Sequence, residues 1–96
     1  MKININGKNC EINDSLKEYT NKKLRKLEAY SEIIISTNIT YENDKINQKA
    51  EGHIHVHGAE IHAKAQHETL HGAMDSLIDK LIKQLVKHKE KNVDRR

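Results

Sequence analysis

Two residue types that usually anchor a core are missing from this 96-residue chain: it has no Phe and no Trp, and Tyr appears three times. The core must therefore be aliphatic, and no row of aromatic rings is available on which nucleobases would stack. Proline is absent as well, so no element is interrupted by a ring-locked residue. Cys10 is the single cysteine, which excludes an intrachain disulfide. With no companion base and no C-x-x-C, it reads as a small packed thiol in a reducing compartment. No apolar run approaches the ~20 residues needed to span a bilayer, and the opening MKINING has no apolar signal region. Phosphate-loop and nucleophile-elbow patterns are absent. The carboxylates Glu51, Glu60, Glu68, Asp75 and Asp79 have no evident acid–base partner. A cytoplasmic protein that is not an enzyme and needs no cofactor is expected.

What the chain does have is uneven charge. The formal net charge is only +3. Residues 1–30 hold seven Lys/Arg against four Asp/Glu, residues 31–69 three against six, and residues 70–96 seven against four. Both ends are basic and the middle is acidic, a polarity that favours an anionic partner. The length suits one domain, expected over residues 1–92, followed by a short, basic, disordered tail at 93–96. A domain this small buries roughly 60–65% of its unfolded surface, enough for one modest core.

The strongest periodic signal lies near the end. Leu70, Met74, Leu77, Ile78, Leu81 and Leu85 recur at steps of three and four, which predicts a helix from Leu70 to about Lys91 with Thr69 as its cap. Lys80, Lys83, Lys87 and Lys91 recur at the same steps on a flank of that stripe. Upstream, Lys2 to Gly7 alternates as a half-buried strand with Ile3 and Ile5 inward. Asn13 is suited to cap a helix from about Asp14 to Tyr30, whose apolar arc is Leu16, Tyr19, Leu24, Leu27 and Tyr30. Lys23 falls inside that arc and is expected to snorkel along a seam between helices.

Three strands are expected to follow. Ile33 to Glu42 would place Ile35, Thr37, Ile39 and Tyr41 on one face. A polar turn to Gln48 leads into Lys49 to His57, a tight loop at Gly58 and Ala59, and Glu60 to Gln66 with Ile61, Ala63 and Ala65 inward. The fold class is thus α+β in the order β-α-β-β-β-α: a four-stranded sheet with both helices on its one apolar face.

Two constellations remain. The first is a basic surface of two ridges, Lys22, Lys23, Arg25 and Lys26 on the first helix and Lys80, Lys83, Lys87, His88, Lys89 and Lys91 on the second. Phosphate-backbone binding is the sharper reading and a solvated helix face the simpler one. The second is a comb of histidines, His53, His55 and His57 on one strand face with His62 on the next strand. Residues two apart on a strand lie about 6.5–7 Å apart, wide for one ion, so cross-strand pairs are better placed. His55 and His62 are the weak metal candidates. Exposed polar strand positions are the simpler reading, and no metal is assigned.

With these motifs in view, the chain resembles the ribosome hibernation promoting factors. MKINING, CEINDSLKEY, KKLRKLEAY, HIHVHGAEIHAKA and DSLIDKLIKQLVKHKEK carry the resemblance, which covers about residues 1–92. It implies the short form of the family, without an added C-terminal dimerisation domain, and a fold similar to a double-stranded-RNA-binding domain. It also implies binding to small-subunit rRNA in the mRNA/tRNA channel, a block on translation in stationary phase, and promotion of inactive ribosome dimers with a separate modulation factor. The free protein would be monomeric and away from membranes. On matching positions, rRNA contacts would fall to Lys22, Lys23, Arg25, Lys26, Lys80, Lys83, Lys87, His88 and Lys91. Where the family has a DMYAAID-like run, His71 replaces the aromatic and Gly72 loosens the first turn by ~1 kcal/mol relative to Ala. Two other readings stay open: a general double-stranded-RNA-binding module, and a metal-binding protein using His53, His55, His57 and His62.

Overall fold

Alternating strands and stepped helices assemble in the expected order. The structure, a computed structural model, describes residues 2–94, with side chains to Glu90. Its elements are β1 (Lys2–Lys8), α1 (Asp14–Leu24), a 3-10 segment (Arg25–Tyr30), β2 (Ile34–Asn43), β3 (Gln48–Val56), β4 (Ala59–His67) and α2 (Leu70–Asp94). The expected tail at 93–96 begins inside the last turn of α2, and Arg95 and Arg96 lie outside the described residues. The four strands form one sheet in the order β1-β2-β3-β4. β1 and β2 are parallel, which requires the crossover that α1 supplies, and the other pairs are antiparallel hairpins.

One face of the sheet is apolar. Thr37, Ile39 and Tyr41 of β2, Ala50, Ile54 and Val56 of β3, and Ile61, Ala63 and Ala65 of β4 are buried. α2 closes this face with Ala73, Met74, Leu77, Ile78, Leu81 and Leu85, and α1 adds Leu16 and Leu24. Small residues lie under α2 and let it approach closely. At Gly52 on β3, an added Cβ would stand 2.9 Å from Leu81 Cδ1. The buried Tyr41 hydroxyl is hydrogen-bonded to the Thr20 hydroxyl, which itself donates to Leu16 O at 2.7 Å. Burial pushes the Tyr41 phenol up to about 12.

Three local expectations are corrected. The first helix does not stay α-helical to Tyr30 but tightens into a 3-10 segment at Arg25. Leu24, Leu27 and Tyr30 are spaced by three, which is the 3-10 repeat, so the tighter winding keeps all three on the core side. In β2 the pairing register shifts between Ile34 and Ser36. This bulge adds one outward residue, so Ile34 turns in at 5% exposure while Ile35, expected inward, is 44% exposed. The β3–β4 loop is His57–Gly58 rather than Gly58–Ala59, since Val56 pairs with Ala59. Gly58 holds φ at +83°, a conformation that costs glycine no Cβ clash.

Candidate nucleic-acid interface

The two helices that carry the cations are locked to each other by one polar seam. Asn13 caps α1 by accepting from Leu16 N at 2.8 Å, and Thr69 caps α2 by accepting from Gly72 N at 2.9 Å. Tyr19 donates its hydroxyl proton to Asp75 at 2.5 Å, and Lys23 Nζ lies 3.1 Å from the same carboxylate oxygen. The expectation that Lys23 runs along an inter-helix seam therefore holds. His71 meets Tyr19 edge-on at 4.6 Å between ring centroids, so the imidazole supplies a ring contact at the start of α2. Further along, Lys89 Nζ lies 5.8 Å from the centre of the Tyr30 ring. Gly72 also has a spatial reason. A Cβ there would stand 2.1 Å from Nδ1 of His67, whose ring lies over the first turn of α2.

The seam sets its own charges. The Tyr19 hydrogen bond holds Asp75 below the usual carboxylate range, partly opposed by desolvation, and Lys23 and then Lys26 act in the same direction as Tyr19. Bonding to Asp75 raises Lys23. The lowered Asp75 contributes stability that is present above the usual carboxylate value and lost as pH falls through its lowered folded value. The raised Lys23 contributes stability that is lost only as pH rises through its folded value, above the ordinary ammonium range. Thermal melts should therefore show the native chain more stable than Asp75→Asn at pH 7, with the gap closing below about pH 4. Asp75 is half exposed, so screening holds that gap to about 1 kcal/mol or less. An equal gap at pH 3 and pH 7 would exclude a charge effect.

The cations fall into two rows. Lys22, Arg25 and Lys26 are exposed along α1 and the 3-10 segment, and Lys80, Lys83 and Lys87 along α2. The α2 row points away from α1, for Lys80 Nζ donates to Lys64 O of β4 at 2.8 Å and Gln84 donates to His62 O at 2.7 Å. At 100° per residue, Lys80, Lys83 and Lys87 centre about 140° around α2 from His71, Asp75 and Lys89, which face α1. A crest bearing Asp79, Val86 and Glu90 separates the two. The surface has two ridges, as expected, with the crest of α2 between them. Lys22, Arg25, Lys26, Lys83 and Lys87 make no salt bridge among the described residues. His88 is half-buried, and the side chain of Lys91 lies outside the described residues. Lys23 differs from the others because its charge is already engaged with Asp75.

The open sheet face carries the histidines in a register that the sequence alone did not give. His53 pairs directly with His62, their rings 4.3 Å apart, whereas His55 pairs with Glu60 and His57 sits in the loop. The cross-strand histidine pair is thus His53/His62 rather than His55/His62.

A mixed four-stranded sheet with two helices packed on one face defines an α+β fold. Two solved structures share it. A ribosomal subunit interface protein from Coxiella burnetii superposes with a TM-score of 0.89 at 28% identity, covering 94% of this chain and 99% of that one. The N-terminal domain of Protein Y from Thermus thermophilus gives 0.83 at 25% identity, covering 92% and 99%. The sequence profile described as "Sigma 54 modulation protein / S30EA ribosomal protein" matches residues 3–93, and the chain belongs to that family. Among curated relatives, the ribosome hibernation promoting factor of Azotobacter vinelandii is 41% identical over 95 residues, 99% of this chain and 89% of the relative. That of Escherichia coli K12 is 41% identical over 91 residues, covering 95% and 96%.

Proposed function

We propose that the protein is a cytoplasmic ribosome hibernation factor that binds small-subunit rRNA in the mRNA/tRNA channel and blocks translation. The observation that carries this reading is the pair of exposed cationic rows on one helix pair, in a chain of this family. Ammonium and guanidinium groups from Lys22, Arg25, Lys26, Lys80, Lys83 and Lys87 bind phosphates, and His88 and Lys91 stay candidates from the same helix. Rows on either side of the α2 crest suit phosphates on two stretches of folded RNA better than one single strand. The Tyr19 and Tyr30 rings on the helix pair are half-buried and engaged with His71 and Lys89, so recognition rests on RNA shape and backbone rather than base stacking. Lys23 contributes mainly by fixing the angle between the rows. The protein acts on the ribosome as a binder, not an enzyme, and is monomeric when free. With a separate modulation factor it favours inactive ribosome dimers.

Sucrose-gradient sedimentation of stationary-phase ribosomes, with and without the protein, tests this directly. The protein should co-migrate with small subunits and enlarge the dimer peak. A protein that stays at the top of the gradient but binds free RNA duplexes would be the general duplex-binding module instead.

A further inference from the structure

The cationic rows leave the opposite, open face of the sheet unused, and that face holds a converging set of ligand groups. Cross-strand pairing places Asn38, His53 and His62 in one row and Thr40, Glu51 and Lys64 in the next. Within this patch one ligand atom from each of Glu51, His53 and His62 lies within 4.8 Å of the others. The contacts converge on one carboxylate. His62 Nε2 stands 3.1 Å from Glu51 Oε2, and His53 Nε2 stands 3.5 Å from Glu51 Oε1. His53 Nδ1 in turn lies 3.1 Å from Glu60 Oε1.

The hydrogen-bond pattern these contacts set up is informative. When His53 donates Nδ1–H to Glu60, its Nε2 is left facing a Glu51 oxygen, and His62 brings a second imidazole, 4.3 Å ring to ring, to the same carboxylate. A metal ion between these groups satisfies all three. The Glu60–His53 contact is also the arrangement that orients a metal-ligating histidine, with a carboxylate holding Nδ1 and Nε2 left to coordinate.

We infer that Glu51, His53 and His62 form a binding site for one borderline divalent ion of the Zn²⁺ class, with Glu60 orienting His53. Two imidazole nitrogens select against Mg²⁺ and Ca²⁺. Zinc bonds of about 2.0–2.1 Å in a tetrahedron place ligand atoms roughly 3.4 Å apart, so side-chain rotation alone closes the site. Side-chain exposures of 34%, 40% and 42% for Glu51, His53 and His62 leave the ion's outer position open to water or to an external ligand. On binding, the Nε2 proton of His62 moves to Nδ1 through solvent. Lys64 Nζ, 3.4 Å from Glu51 Oε2, is the competing cation and is displaced. The site lies on the sheet face opposite the helices and does not depend on the rRNA-binding reading.

Titration of the untagged full chain with ZnCl₂, followed by calorimetry and by nitrogen shifts of the histidine rings, tests the site. One Zn²⁺ per chain is expected at pH 7.5, with Nε2 of both His53 and His62 shifted as metal-bound nitrogens. His53→Ala and His62→Ala should each weaken binding by tenfold or more, and Glu60→Gln by about 10–100-fold as an orienting residue. Lys64→Ala should tighten it. All four positions are polar and face solvent, and far-UV circular dichroism confirms that each variant is folded. Unchanged affinity in His53→Ala, or shifts centred on His55, His57 or His67 instead, would overturn the assignment.

Discussion

Reversing two charges on the outer flank of α2, Lys83→Glu together with Lys87→Glu, is expected to abolish co-sedimentation with small subunits while leaving the fold intact. Both lysines are exposed and neither forms a salt bridge among the described residues, so their charge is not spent inside the protein. On the proposed reading, each reversal removes one phosphate contact and adds a like charge facing RNA. Together they should weaken binding by about a hundredfold or more and lower the salt slope by about 2. The structural cost is small. Asp79 stands four residues before Lys83, so the change turns a favourable helical spacing into a repulsive one, worth roughly 0.2–0.5 kcal/mol. Melting temperature and helical content should stay near native. Unchanged sedimentation would remove the α2 row from the interface. Lys23→Ala makes the contrast, since its larger effect should fall on stability rather than on binding.

The largest expected loss of stability comes from a residue with no side chain. Gly52→Val should destabilise the fold by about 2 kcal/mol, lowering the melting temperature by roughly 8–16 °C in a domain of this size. Valine is the better strand former, so intrinsic propensity argues for a gain. Geometry decides otherwise. An added Cβ stands 2.9 Å from Leu81 Cδ1 and 3.4 Å from Ile39 Cδ1 and Leu77 Cδ2, and all three of these residues are fully buried. α2 packs directly on the backbone of β3 there, and a close-packed interior cannot absorb extra methyl groups without moving the helix. Combining Gly52→Val with Leu81→Ala should cost less than the sum of the single changes, because the second removes the group the first collides with. A raised melting temperature in Gly52→Val would contradict this packing.

Element order and core membership were legible because period-two and period-3.6 patterns are strong here. The α2 stripe is buried as expected, apart from Leu70 at the first turn, which is half-buried. What was missed depends on single-residue shifts that pattern reading does not resolve. A loop over Gly58–Ala59 pairs His55 with His62, whereas the loop over His57–Gly58 pairs His53 with His62. One residue in a turn thus moves the histidine pairing by two positions. Alternation also carried Ile35 inward because it does not anticipate a bulge. Leu24, Leu27 and Tyr30 were read as part of one α-helical arc, because a step of three fits both windings, and so the change to a 3-10 segment was missed. The basic residues and their two ridges were visible in the sequence, but the direction in which the α2 ridge faces was not. That direction depends on which flank of α2 meets α1, and Asp75, with Tyr19 and Lys23, marks that flank only once the helices are packed.

The most direct measurement is the salt dependence of binding to purified small subunits, run beside a free RNA duplex of matched length. If the two rows hold phosphates through six to ten contacts, affinity for the subunit should fall by about 10³–10⁵ between 50 and 200 mM salt. At each salt concentration the subunit should bind far more tightly than the duplex. A flat salt response, or equal affinity for duplex and subunit, would contradict the assignment of the helix pair as a ribosome-specific phosphate-binding surface.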